Sequence, residues 1–444
     1  MGREGLFEGL PEMAVPERAG GNGRPRLREP ERSQIELRPI DLDGVIGADH
    51  PARVIWAYVE RLDLRVLEDR VKAREGAPGH PPISPRLMLA LWLYATSEGV
   101  GSARALARLC ESHDAYRWLC GGVSVNYHTL AAFRVAHEAL LDELLVKNVA
   151  ALAAAGVIDL DTLAQDGLRV RAGAGASSFR RAPTLRKALK RARRAVDRLK
   201  RELHDDPDAS NRRIAAARER AARERLARVE RALAEHAKAE ERDRQRQERD
   251  RKKLAKRGAP RTSTTDPEAR VMKMADGGFR PAYNVQITSA PEQQIVVTLE
   301  GETSGSDRGL MRPALEAVRR RHDRLPRRHL ADAAFGKKDD IEWAAANGVL
   351  VHCPPLRNKH GTDPFAPRPD DGPGVAAWRR RMRSPIGKAR YKRRAVCECI
   401  HARFRNWNLR QFTVRGRAKV RAVALWFALA NNILQAHRLC PAAF

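Results

Sequence analysis

Between residues 180 and 257 this 444-residue chain carries 29 basic and 14 acidic residues and no Phe, Trp or Tyr, with Ala, Leu and Arg recurring at helical spacing. A stretch of that composition fits long charged helices folded back as an antiparallel hairpin. The strands of a mixed fold must then come from the sequence on either side. Before the stretch, Val157–Val170 reads as a strand. After it, residues 266–352 change period. Tyr283–Thr288 and Gln294–Glu300 alternate or are β-rich behind an Asp276-Gly277-Gly278 turn, Arg308–His322 is helical, and His329–Ala333 is a short strand. Ile341–Ala346 is helical again, and Gly348 breaks it before the strand Val349–His352. Strand, long insert, two strands, helix, strand, helix, strand is an α/β order.

The formal net charge of +29 predicts attraction to polyanions and is silent about fold. The longest apolar stretches, Leu87–Ala95 and Ala422–Leu434, are short for a membrane span, and the second contains Asn431 and Asn432. Met1–Val15 lacks the charged-then-apolar order of a signal peptide, and Leu6 stands where myristoylation prefers Ser or Thr. The expectation is a soluble, cytoplasmic, nucleoid-associated protein with no membrane partner. Six scattered cysteines suit a reducing compartment. Cys397, His401, His437 and Cys440 can be drawn as a zinc site, but no CxxC pair supports it, and buried thiols beside unrelated histidines is the simpler reading.

Seven segments result. Residues 1–40, rich in Gly, Pro, Arg and Glu, read as a disordered tail. Residues 41–155 read as a helical DNA-binding domain. Ser84-Pro85 caps one helix, Ser102 another (Ala103–Cys110), and Gly121-Gly122 stops a third before Thr129–Leu141. Short helices around a Gly-containing turn are compatible with a helix-turn-helix, and equally with a bundle used for packing. Residues 156–179 and 258–352 are the two parts of the α/β core, split by the basic insertion 180–257. Residues 353–377 are a loop rich in Pro, Asp and Gly, and 378–444 are closing helices, the last over Val420–Ala436.

Glu398 is the only acidic residue after Asp371, among 17 arginines and lysines. Surrounding cations keep such a carboxylate ionised. On a single helix, Tyr391, Arg394, Glu398 and Arg405 fall within about 60° of one another. Two more acids are candidates to join Glu398: Asp166 on the first strand and Asp332 at the end of a later one. Carboxylates are hard donors suited to Mg²⁺ or Mn²⁺, and a pair of such ions serves in-line phosphoryl transfer. Taken alone, Asp166-Gly167 also suits a turn, Asp159 and Asp161 are rivals, and Asp332 suits a helix cap.

Tyr391-x2-Arg394-x3-Glu398-x6-Arg405 resembles the Tyr–Arg–Glu–Lys signature of bacterial insertion-sequence DDE transposases, with Arg in place of the final Lys. Gln165-Asp166-Gly167 resembles their first-aspartate motif. Leu330-Ala331-Asp332-Ala333-Ala334-Phe335-Gly336 resembles the second, where Asp-Ala-Gly-Tyr is usual. Thr265–Arg270 and Gly278–Gln286 resemble the stretch before and into the second strand. Pro81–Arg134, with Arg117-Trp118-Leu119-Cys120-Gly121-Gly122, is similar to the N-terminal domain of one branch. The similarity spans about residues 45–435.

The resemblance implies an RNase H-like core with a helical N-terminal domain and a long charged helical insertion after the first strand. It implies Asp166, Asp332 and Glu398 as a catalytic triad holding two Mg²⁺ or Mn²⁺ ions, with Tyr391, Arg394 and Arg405 binding DNA. It also implies double-stranded DNA as partner, both element ends and target, and a homo-oligomer on that DNA. Arg405 keeps the charge of the usual Lys but replaces a point ammonium with a fork. The expected activity is metal-dependent cleavage at element ends and strand transfer into target DNA. The alternatives are a non-catalytic DNA-binding regulator, as a decayed copy, or a metal-dependent nuclease without strand transfer.

Overall fold

The computed structural model describes residues 41–69, 71, 73, 81–205, 209–249, 259–356, 361 and 363–441; the expected tail, 1–40, lies outside them. Helices come first: α1 (Pro51–Glu60), α2 (Arg65–Glu68), α3 (Pro85–Ser97), α4 (Ala103–Ser112), α5 (Asp114–Cys120), α6 (Tyr127–Ala136) and α7 (Glu138–Ala154). Ser102 accepts the Ala105 N–H at 3.4 Å, and Gly121, at φ 53°, ends α5 in the left-handed region. Ser84 precedes α3 as expected but makes no side-chain cap; Pro85 alone marks the start. The single helix expected over Thr129–Leu141 is two, because the His137 backbone (φ −118°, ψ 40°) leaves the helical region between α6 and α7.

The first strand, β1 (Thr162–Arg171), begins five residues later than Val157. Gly156 turns the chain at φ 69°, and Asp159 accepts the Asp161 N–H, so 157–161 form a connection. A short β2 (Phe179–Arg180) leads into α8 (Ala182–Asp205), and α9 (Ala209–Arg249) packs beside it. Leu185, Ala192 and Val196 of α8 are buried, as are Val229 and Ala232 of α9. The chain returns through β3 (Thr262–Ser263), which pairs with β2, and then β4 (Arg270–Lys273), β5 (Phe279–Ala290), β6 (Ile295–Glu302), α10 (Met311–His322), β7 (Arg328–Leu330), α11 (Lys338–Ala346) and β8 (Leu350–His352). Helices α12 (Pro373–Arg383), α13 (Pro385–Lys392), α14 (Cys397–Asn406) and α15 (Arg417–Leu439) close it. Helix α12 starts inside the segment expected to be loop, with Pro373 at its first position.

The main sheet has six strands in the order β4-β5-β1-β7-β8. Along its outer edge β5 pairs first with β4 and then with β6. Strands β1, β7 and β8 are parallel, while β5 runs antiparallel to β1. The alternating polar positions of Tyr283–Thr288, namely Asn284, Gln286 and Thr288, are all buried. Their polar face lies under the loop of Asp307, which accepts from Asn284 Nδ2 at 2.7 Å and Gln286 Nε2 at 3.0 Å.

Residues Leu42–Phe444 form one compact unit. Its core is centred on α15, which packs against β6, α7 and α3 and is buried almost throughout. The two asparagines in that apolar helix have backbone to satisfy. Asn432 both accepts from Val296 N and donates to Val296 O at 2.8 Å, and Asn431 donates to Gln294 O. No helix among the described residues is long and apolar enough to cross a membrane.

Candidate active site

Parallel pairing decides which acids meet. Ala164 of β1 is in register with Leu330 of β7. Two residues further along each chain come Asp166 and Asp332, so both carboxylates emerge at the same level of neighbouring strands. Asp166 is still within β1, whereas Asp332 has passed the end of β7 and caps a 3₁₀ turn, Ala333–Phe335, by accepting the Ala334 N–H at 2.8 Å. The capping role considered for Asp332 is thus present alongside its place in the cluster.

The four-residue signature does not lie on one α-helix. Tyr391 belongs to α13, Arg394 to a 3₁₀ segment (Arg393–Val396), and Glu398 and Arg405 to α14. Arg394 points inward from the 3₁₀ segment. Its side chain is 13% exposed, and its guanidinium lies 3.0 Å from Asp166, 3.9 Å from Asp332 and 3.9 Å from Glu398. Arg394, expected to bind DNA, is the one group that touches all three candidate acids. Glu398 is the outlying acid at 70% side-chain exposure. Tyr391 packs against the smaller core of Met311, Phe335, Ile341 and Trp378, and Arg405 is exposed.

Desolvation raises the pKa of Asp166, opposed by Arg394 and the Gly167 N–H and reinforced by Asp307. Desolvation likewise raises Asp332, against the Ala334 N–H and Arg394. Burial alone would depress Arg394, but Asp166, Tyr391 and Asp332 outweigh it and its pKa is raised. The pocket is therefore short of positive charge: two half-buried carboxylates share one cation.

Two groups in this neighbourhood were not assigned to the site from sequence. His401, one turn after Glu398, is buried with Nδ1 3.8 Å from Asp166, and desolvation, with Arg405 and Arg394, holds it down to about 4. It figured only in the zinc alternative, and among the described residues no three His, Cys, Asp or Glu side chains form a group able to hold a metal. Cys397 instead contacts Ser289 Oγ at 3.4 Å. Asp307, in a loop with no helical or strand pattern, ion-pairs with Arg169 at 3.2 Å behind β1. A Cβ on Gly167 would come within 2.6–2.7 Å of Asn284, Gln286 and Asp307, so only glycine lets this polar layer press against the strand beside Asp166. The rival acids are accounted for locally: Asp159 in its turn, Asp161 in an ion pair with Arg324.

Two family models match the chain: Transposase domain (DUF772) over residues 40–136, and Transposase DDE domain over residues 258–433. The chain carries the two domains of a DDE transposase. The first match covers α1 through α6 of this transposase. The second contains Asp332, Arg394, Glu398 and Arg405 and begins after Asp166. No curated protein and no solved structure matches the chain.

Proposed function

We propose that this transposase binds the ends of its own element as duplex DNA, cuts a phosphodiester bond there in a metal-dependent reaction, and joins the freed 3′-hydroxyl to target DNA. The observation that carries this reading is the emergence of Asp166 and Asp332 at one level of adjacent parallel strands, with a single guanidinium reaching both and Glu398. An antiparallel pair beside three parallel strands, closed by helices on the carboxylate side, supports an RNase H-like core.

In kind the donors suit Mg²⁺ or Mn²⁺, since carboxylates are hard oxygen ligands and Asp166 and Asp332 already share a cation, but the three acids do not stand as a preformed three-ligand group, with Glu398 apart at the rim. Asp166 and Asp332 would hold the first ion, and Glu398, at the rim, would complete the site for two. Bound divalent ions supply Lewis acidity that makes water or a 3′-hydroxyl a better nucleophile and offsets charge on the leaving oxygen. The chain's own residues do the rest. Gly167 and the Asp307 layer fix Asp166 from behind. Tyr391 and Arg405 bind DNA phosphate, and Arg394 joins them when it leaves the carboxylates. Two element ends must be held together, so the working form is a homo-oligomer on DNA, nucleoid-associated in the cytoplasm.

The test is cleavage of labelled element-end DNA with flanking sequence, in Mg²⁺ or Mn²⁺, by wild type and Glu398→Gln. Boundary nicking that falls at least about 100-fold in a variant still able to bind DNA supports the triad, since even residues behind a metal's ligands are worth 10–100-fold. Binding without cutting by either protein would favour a regulator. Cutting without joined products would favour a nuclease.

A further inference from the structure

The α8–α9 hairpin distributes its charges unevenly. Helix α9 has 13 basic and 8 acidic residues, and several are matched within the helix, as in Arg223–Glu219, Arg228–Glu224, Lys238–Glu235 and Arg244–Glu241. Helix α8 has 9 basic and only 3 acidic residues, and one of its arginines, Arg193, is taken by Glu230 of α9. Six of the rest, Lys187, Lys190, Arg191, Arg194, Arg198 and Arg201, are all exposed. At about 100° per residue they occupy an arc of about 100° directly opposite the buried face of Leu185, Ala192 and Val196. Packing against α9 therefore fixes which way the stripe points. Among the described residues only Arg198 of these six has a carboxylate partner, Glu202 at 3.5 Å, and Arg201 bonds the Asp197 carbonyl. Lys187, Lys190, Arg191 and Arg194 pair with no carboxylate among the described residues.

We infer that this face of α8 is a docking surface for the phosphate backbone of duplex DNA, read without regard to sequence. The inference deepens the proposed function and rests on it. The stripe runs about 21 Å along the helix, at about 1.5 Å per residue. Duplex DNA offers a negative charge for about every 1.7 Å of its axis, so each cation finds a phosphate within reach of a flexible side chain. A membrane surface would need apolar side chains beside the cations, and the apolar face of α8 is spent on α9. The hairpin follows β1, the strand that carries Asp166, through the small β2–β3 sheet, and Glu235 of α9 pairs with Arg270 of β4 at 2.7 Å, so DNA held here is tied to the main sheet.

The experiment measures the affinity of the full chain for element-end and for unrelated duplex DNA by fluorescence anisotropy across a salt series. Wild type is compared with a variant carrying Lys187→Gln, Lys190→Gln, Arg191→Gln and Arg194→Gln. Each lost phosphate contact lowers the slope of log K against log salt by about 0.9, so the quadruple variant should lose between ~3 and ~4 on both DNAs. Arg191→Lys/Arg194→Lys should keep the slope. An unchanged slope in a variant of wild-type helicity overturns the docking surface and leaves the transposase reading standing, provided boundary cleavage persists. Wild type that binds neither DNA overturns both. If the quadruple variant loses helicity, the pairs Lys187→Gln/Lys190→Gln and Arg191→Gln/Arg194→Gln carry the test, each expected to lose about half.

Discussion

Arg394 hydrogen-bonds Asp166 at 3.0 Å and lies 3.9 Å from both Asp332 and Glu398, and that makes it a competitor for any other cation there. Charge-assisted contacts of this kind contribute about 1.5–3 kcal/mol each, and about 1.4 kcal/mol is tenfold in affinity. Arg394→Ala should therefore bind Mn²⁺ at least about tenfold more tightly than wild type in the absence of DNA, read by calorimetric titration. Equal or weaker binding would mean that the guanidinium orders the acids for the ion and does not compete with it. Gly167 is the second residue whose identity is forced. Gly167→Ala drives a methyl group into Asn284, Gln286 and Asp307 and should cost about 1–3 kcal/mol in urea denaturation. Gly47→Ala, with nothing within 4 Å and an ordinary backbone, should stay within about 0.5 kcal/mol. Equal effects at the two positions would show that the polar layer yields easily.

At the scale of elements, parallel β7 and β8 carry His329 and His352 on opposite faces of the sheet, since His329 is in register with Val351 and His352 with Leu330. His329 bonds Gln165 of β1 at 3.2 Å. Burial, then His352, holds His329 down to about 4, and burial also holds His352 down to about 4, against its bond to the Leu350 carbonyl. A histidine depressed in the folded state contributes stability that is fully present above the unfolded value near 6.5 and is lost as pH falls through about 4. His329→Gln keeps a donor for Gln165. Relative to wild type it should gain stability as the pH is lowered from about 6.5 to 4, by up to about 3 kcal/mol, in urea denaturation at stepped pH. A constant difference across that range would mean that His329 is hydrated. These histidines also show what pattern reading reaches. Strands β1, β5, β6, β7 and β8 were legible as β-rich runs between turn signals, whereas the short β2, β3 and β4 were not read, and Asp166 and Asp332 stood out only through the family resemblance. The polar positions of β5 were legible as strand, but their burial was not, since only the fold reveals the Asp307 loop that covers them. The 3₁₀ segment Arg393–Val396 was equally hidden, because Tyr391 to Arg405 keeps helical spacing throughout.

At the scale of the whole molecule, α7, which lies between the two matched stretches, is joined to the rest by nearly buried charge. Arg421 on α15 bonds Glu138 and Asp142 of α7 at 2.9 and 2.6 Å and Glu300 of β6 at 3.0 Å, and Arg321 of α10 reaches Asp142 at 3.1 Å and Glu300 at 2.6 Å. Both arginines are nearly buried, at 11% and 10% exposure, while the acids keep 23–31%; losing Arg421 leaves Glu138 without its arginine and Asp142 and Glu300 with Arg321. Trp92 of α3 and Trp426 of α15 lie in the same core, donating to the carbonyls of Leu130 and Arg134 in α6. The N-terminal helices and the sheet therefore have one core between them. Removing one partner of such a network costs about 3–5 kcal/mol. Arg421→Ala should lower stability by that amount and shift the tryptophan fluorescence and far-ultraviolet transitions together, as one unit. If the variant instead separates into two transitions, with the N-terminal helices melting before the sheet, the domains have cores of their own and the charge cluster is only their clasp.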